Sequence, residues 1–195
     1  MASSTLEVQF KAGENAADRV AGFVVEHCVG VPSRAVVDVD FNDAVDPETL
    51  LAAPAILLYA HAGETPFAFD GQVEAVTVVG SPDEEAMTRY RLEVVTPLAL
   101  LDRSEGCEIH QELDVKEIVS KVLEAHGITS DFQEWSLTGS YPKRTYCVQY
   151  NESALDFVTR LLEDEGIHYF WDDESGTSKI AFRDDSTAAA PLVGG

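Results

Sequence analysis

Between Thr145 and Arg183 the chain carries start and stop signals so closely spaced that few arrangements of elements satisfy them. Thr145 to Tyr150 alternate with the two-residue period of a strand. Asn151 to Ser153 then offer side chains that cap a helix N-terminus, and Ser153 is followed three residues on by Asp156. Leu155, Val158, Leu161 and Leu162 recur at helical spacing with acidic residues on the other face, and Gly166 supplies the left-handed residue on which such a helix stops. Ile167 to Trp171 reads as a strand, 172–176 as a polar turn, and Lys179 to Arg183 as the hairpin partner. The unit is strand 145–150, helix 153–165 and hairpin 167–183.

A second helix is equally well bounded. Asp114 caps it, Glu117 stands three residues later, Val115, Ile118, Val119, Val122 and Leu123 form an apolar face, and Gly127 ends it, giving a helix over 114–126. Ahead of it the pattern changes. Leu6 to Lys11, Gly22 to Cys28, Arg34 to Phe41, Ala55 to His61, Phe67 to Val79 and Thr88 to Pro97 are β-rich runs separated by Gly, Pro, Asn and Asp, the spacing of a small antiparallel barrel or sandwich. Asp46-Pro-Glu-Thr-Leu-Leu51 reads as one helical turn with proline at its first position. Gly71, inside the longest run, marks a bulge or bend. A composition break after Arg103-Ser-Glu-Gly106 separates a β-rich part, 1–103, from an α+β part, 104–185, and the Ser-Thr-Ala-rich 186–195 reads as a flexible tail.

Charge narrows the partners. Thirteen Lys and Arg against 35 Asp and Glu leave a formal net charge of -22, a field that repels phosphate backbones and anionic membrane surfaces. No apolar run approaches the roughly 20 residues of a membrane span, and Met1-Ala-Ser-Ser-Thr-Leu-Glu lacks the basic start and apolar core of a signal peptide, so the expectation is assembly in the cytoplasm without a membrane anchor. Cys28, Cys107 and Cys147 are odd in number and widely spaced, which reads as free thiols.

Candidate chemistry is sparse. Ser140-Tyr-Pro-Lys143 has the spacing of S-x-x-K, but that motif needs both residues on one helical turn and Pro142 opposes the helix. His27, His61, His110, His126 and His168 stand singly, none in a metal-ligand spacing, and His126 reads as a helix C-terminal residue. Asp38, Asp40, Asp43 and Asp46 lack the glycine and final glutamate of a calcium loop, and alternation on a strand turns them to one solvated face. Asn151-Glu-Ser153 matches a glycosylation sequon that helix capping already explains. No glycine-rich loop with lysine opens a helix. No catalytic, cofactor-binding or metal residue is therefore nominated, no cofactor is expected, and a hydrolase ranks last.

The segment Tyr141-Pro-Lys-Arg-Thr-Tyr-Cys-Val-Gln-Tyr-Asn-Glu-Ser-Ala-Leu-Asp-Phe-Val-Thr-Arg-Leu-Leu-Glu-Asp-Glu-Gly-Ile-His-Tyr-Phe-Trp171 resembles the signature of the VgrG family, the spike-hub proteins of bacterial type VI secretion, which share a phage baseplate hub-like module with the late control protein D family. Val115 to Gly127 resembles the family's Val-x-Glu-Ile-Val-x-x-Val-Leu-x-x-His-Gly helix. Phe69-Asp-Gly-Gln-Val73 and Tyr90 to Leu101 resemble earlier family segments more loosely. Ser104-Glu-Gly-Cys-Glu-Ile-His-Gln111 departs from the family's Ser-Arg-x-Phe-Gln-like stretch. The resemblance implies an α+β, β-rich fold in which an antiparallel β-barrel of hub type is followed by a smaller α/β domain, ending before the family's second barrel, as an excised piece or a split hub. It implies a structural, non-enzymatic role linking tail tube to needle and delivering effectors by mechanical puncture. The implied partners are itself, as a trimer in the full-length protein, together with the tail-tube protein, baseplate components, and effectors or adaptors; export runs through the injection machine, without a signal peptide. From charge alone, the alternative is a standalone acidic adaptor that binds a basic effector.

Overall fold

The structure is a computed structural model, and it describes residues 6–61, 67–80, 87–172 and 178–186. In chain order the elements are β1 (Leu6–Ala12), β2 (Asn15–Ala16), β3 (Arg19–Cys28), β4 (Val31–Phe41), α1 (Pro47–Leu50), β5 (Pro54–His61), β6 (Phe67–Gly80), β7 (Thr88–Val95), a 3-10 turn (Pro97–Arg103), β8 (Glu105–His110), α2 (Val115–Ala125), a 3-10 turn (Ser130–Phe132), β9 (Gln133–Ser136), β10 (Cys147–Ser153), α3 (Ala154–Asp164), β11 (His168–Asp172) and β12 (Lys179–Arg183). They fall into two compact units: one from the described residues of 1–28, 32–99 and 171–178, the other from those of 29–31, 100–170 and 179–195. The 172–176 turn lies mostly outside the described residues, as does the tail from 187.

The first unit is one seven-stranded sheet in the order β2-β1-β5-β6-β7-β4-β3, with antiparallel pairing between β1 and β5, β5 and β6, β6 and β7, and β7 and β4. Two backbone bonds close it. Between β2 and β3, the Ala17 N–H donates to the Phe10 carbonyl on β1 at 2.9 Å and the Asp18 N–H donates to the Asp40 carbonyl on β4 at 3.1 Å. The corner joins both flanks of the sheet, which is how a barrel removes its open edges.

Alternation along the strands fills the interior. Ala35, Val37, Val39 and Phe41 on β4 and Tyr90, Leu92 and Val94 on β7 are buried together with Phe10, Leu57, Phe69 and Val73 from β1, β5 and β6. Tyr90 keeps its hydroxyl paired: it donates to the Val45 carbonyl at 2.8 Å and accepts the Val45 N–H at 3.0 Å. Each large side chain so buried contributes about 1.5 to 3 kcal/mol. Gly71 is explained by closeness rather than by a bulge. A Cβ there would stand 2.5 Å from the Val95 carbonyl oxygen and 2.8 Å from Val94 Cγ1. The register shifts fall elsewhere on β6, between Val73 and Ala75 and between Val78 and Gly80.

In the second unit α2 begins at Asp114 with a complete capping box, the Asp114 side chain accepting from the Glu117 N–H and the Glu117 side chain accepting from the Asp114 N–H. The Ser153 hydroxyl caps α3 by accepting the Asp156 N–H at 3.0 Å. Both helices stop at left-handed glycines, Gly127 at φ +82° and Gly166 at φ +70°. Val115, Ile118, Val119, Val122 and Leu123 of α2 and Phe157, Val158, Leu161 and Leu162 of α3 are buried. β10 starts at Cys147 rather than Thr145 and runs on to Ser153, because a shift at Asn151, which sits at φ +50°, lets the strand continue through the stretch that caps the helix. β8, which carries no clear alternation of its own, pairs with β10, and β9 lies parallel to β12 in a three-stranded sheet ordered β11-β12-β9.

Two substitutions test this packing. Leu162 is 1% exposed, so Leu162→Ala is expected to lower stability by roughly 2 to 5 kcal/mol in denaturant melts. Gly71→Ala, which adds only a methyl group, is expected to cost about 1 to 3 kcal/mol because the clash is with backbone; an unchanged melting midpoint would show that β6 and β7 can separate there.

Candidate functional site

The residues flagged in the sequence do not converge on a reaction centre; the first unit uses them to hold strands together. Asp38 and Asp40 stand directly opposite Arg91 and Arg89 in the β4–β7 register. Arg91 grips Asp38 with two bonds of 2.8 Å. Arg89 Nε and Nη2 donate to Asp40 at 2.7 and 2.9 Å, and Arg19 Nε donates to the same carboxylate at 2.7 Å. The Asp40 side chain has no exposed surface, so the expectation of a solvated aspartate face is corrected here: the guanidinium stems of Arg19 and Arg89 cover it. The Arg89 hydrogen bonds hold the Asp40 carboxyl below its usual range, and Arg91 does the same for Asp38. Asp46 caps α1 by accepting the Glu48 N–H, and Asp43 is exposed.

The signature stretch of the second unit is held by a different carboxylate. Asp184, just after β12, accepts the Gly139 N–H at 2.7 Å, the Thr138 N–H at 2.8 Å and the Tyr141 hydroxyl at 2.8 Å. These donors, the Gly139 N–H foremost, pull the Asp184 carboxyl well down, and burial together with Asp184 pushes the Tyr141 phenol up to about 12. Arg144 donates to Glu165 at 2.7 Å and Arg160 to Glu152 at 2.6 Å. Asp184 was missed by sequence reasoning, since nothing local links it to a loop more than forty positions earlier.

The remaining candidates stay apart. Ser140 and Lys143 lie in irregular chain, and Lys143 pairs with Glu117 at 3.2 Å. His27 meets the Ser33 hydroxyl at 3.0 Å. His126 follows α2, with Nδ1 2.8 Å from the Val122 carbonyl and Nε2 2.9 Å from the Ser104 hydroxyl. Cys28 and Cys107 are exposed and Cys147 is buried. Among the described residues no three His, Cys, Asp or Glu are placed to hold a metal ion, and no helix is long and apolar enough to cross a membrane. His110 is the unusual one. It is 2% exposed and stacked on Phe157 at 5.5 Å, and neither ring nitrogen has a hydrogen-bond partner among the described residues. Burial lowers its pKa, Lys121 adds to that, and Glu108, 3.7 Å from Nε2, opposes it.

A barrel braced by cross-strand ion pairs, followed by an α/β unit, is the architecture of the baseplate-hub class. The chain belongs to the phage tail baseplate hub (GPD) family, whose model matches residues 29–195. It is 40% identical over 146 residues to the type VI secretion system spike protein VgrG4b of Pseudomonas aeruginosa, covering 73% of this chain and 17% of that protein. Against VgrG5 of the same organism it is 36% identical over 145 residues, 74% of this chain and 18% of the relative. The chain thus spans less than a fifth of these relatives. Its fold is similar to the E. coli c3393 protein, a component of the type VI secretion system with structural similarity to T4 bacteriophage tail proteins gp27 and gp5, at a TM-score of 0.76 and 24% identity over 98% of this chain and 51% of that one.

Two measurements check these assignments. Asp40→Ala removes the carboxylate that Arg19 and Arg89 share and is expected to cost about 1.5 to 3 kcal/mol, whereas Asp43→Ala is expected to change the melting midpoint little. The pH profile follows from the directions above. His110 titrates lower folded than unfolded, so stability is expected to fall as pH drops below about 6.5, and His110→Gln is expected to flatten that step. Asp38 and Asp40 contribute stability above the unfolded carboxylate value of about 4, which is lost as pH falls further, through their depressed folded values.

Proposed function

We propose that this chain is the hub-barrel part of a type VI secretion spike, a mechanical component that joins tail tube to needle in a contractile injection machine. Family membership over residues 29–195 carries the reading. In it the β-rich part to about residue 103 contributes one barrel to a trimeric ring, and the α/β part follows it in the chain. The work is transmission of force through paired strands and a packed core, and effectors travel with the spike. No residue performs bond chemistry. Assembly takes place in the cytoplasm and export runs through the machine itself. The closed barrel and its ion-paired seam suit such a load, because closure leaves few strands free to peel.

The test is where the chain resides. Contractile particles purified from the source cells and probed by immunogold labelling are expected to carry it at the baseplate end. Its absence from intact particles, with the chain present in the same lysate, would overturn the reading.

A further inference from the structure

The β8–β10 ribbon is inside out. Its buried side carries His110, Cys147 and Gln149, two of them polar, at 2%, 7% and 4% exposure. Its solvent side carries Tyr146, Val148 and Tyr150 from one strand and its approach, and Cys107 and Ile109 from the other. Tyr150 is 77% exposed, Tyr146 59% and Ile109 58%. The register sets Val148 opposite Ile109 and Tyr150 opposite Cys107, so these side chains form one continuous patch. A ribbon that only had to fold would show the reverse polarity, with the apolar residues turned in. The signature stretch Tyr146-Cys-Val-Gln-Tyr150 therefore spends its aromatic positions on a surface.

The rim of the patch is acidic. Glu105, two residues from Cys107 on the same strand, is exposed, as is Glu112 just past the strand, whereas Glu108 belongs to the inward side, opposite Gln149 and 3.7 Å from His110 Nε2. Three nearby basic side chains are already engaged: Lys143 by Glu117, Arg144 by Glu165 and Arg160 by Glu152. Tyrosine at the centre offers a large rigid contact area with a hydroxyl for the edge, the composition of a binding centre rather than of a solvated strand.

We propose that the outward face of this ribbon is a docking surface for a partner polypeptide whose own contact face is apolar and set with Lys or Arg. Charge decides between occupants. A second copy brings the same acidic rim and a further net charge of -22, and an anionic lipid surface is repelled likewise, whereas a basic partner is attracted on both counts.

The face carries its own reporter. Cys107 lies within it, Cys28 is an exposed thiol on β3 of the other unit, and Cys147 is buried. The whole chain would be alkylated with iodoacetamide and read by mass spectrometry with and without a short synthetic peptide alternating valine and lysine, at about 0.15 M salt. The expected result is that the peptide slows Cys107 modification about fivefold or more near saturation while Cys28 reacts as before. A peptide with glutamate in place of lysine is expected to give no protection. Tyr150→Ser is expected to abolish the protection with no drop in melting temperature, and Ile109→Thr serves as a second variant should the first not fold. Protection of both thiols alike, equal protection by the glutamate peptide, or none at all would overturn the proposal. So would protection of Cys107 that grows with protein concentration in the absence of peptide, which would make a second copy the occupant.

Discussion

Asp40 is the residue on which the first unit depends. Its carbonyl accepts the Asp18 N–H where the sheet closes, and its carboxylate holds Arg89 from β7 and Arg19 from the start of β3. Asp18 reinforces the same corner, accepting the backbone and side-chain N–H groups of Asn42 at 2.8 Å each. Three strands and the corner that leads into one of them are tied at one point. Such a buried carboxylate adds little net stability over a well-packed apolar substitute, because desolvation offsets most of the attraction. What it adds is specificity. Arg89 meeting Asp40 and Arg91 meeting Asp38 fix the β4–β7 register, Arg19 ties β3 to the same carboxylate as Arg89, and a slip by one residue would bury unpaired charge.

The second unit is organised by caps rather than by buried charge. Asp114 and Ser153 start its helices and Gly127 and Gly166 stop them, so each helix has little freedom of length. Asp184 then pins the loop from Thr138 to Tyr141 with donors that are mostly backbone. In both units these carboxylates serve structure: Asp184 gathers N–H groups, and Asp38 and Asp40 gather arginines.

The inside-out ribbon fits the same picture. Within a chain whose interior alternates cleanly on β4 and β7, a two-stranded ribbon that buries glutamine and histidine while exposing tyrosine and isoleucine is a local breach of the rule. Breaches of that kind are expected where a surface has work other than folding. His110 shows the consequence inside: a buried imidazole stacked on Phe157 with no hydrogen-bond partner among the described residues, its pKa lowered by burial.

Local signals were enough for most of the elements. The two capped helices, the six long strands of the barrel and the C-terminal hairpin strands follow from patterns contained within about a dozen residues, because capping, alternation and left-handed glycines act over that range. The family was legible too, in the run from Tyr141 to Trp171. What required tertiary structure was every feature made by residues far apart. The closing corner joins Ala17 and Asp18 to different strands, Asp40 finds an arginine 49 positions away, and Asp184 finds one of its donors 45 positions back. β8 and β9 become strands only through partners supplied later in the chain. Gly71 looked like a bulge residue because sequence records the missing side chain but not the Val95 carbonyl that forbids one. Sequence specifies which segments prefer to be strand or helix; which face of a strand meets water is decided by what packs against it, and for the Tyr146–Tyr150 stretch that outcome ran opposite to its composition.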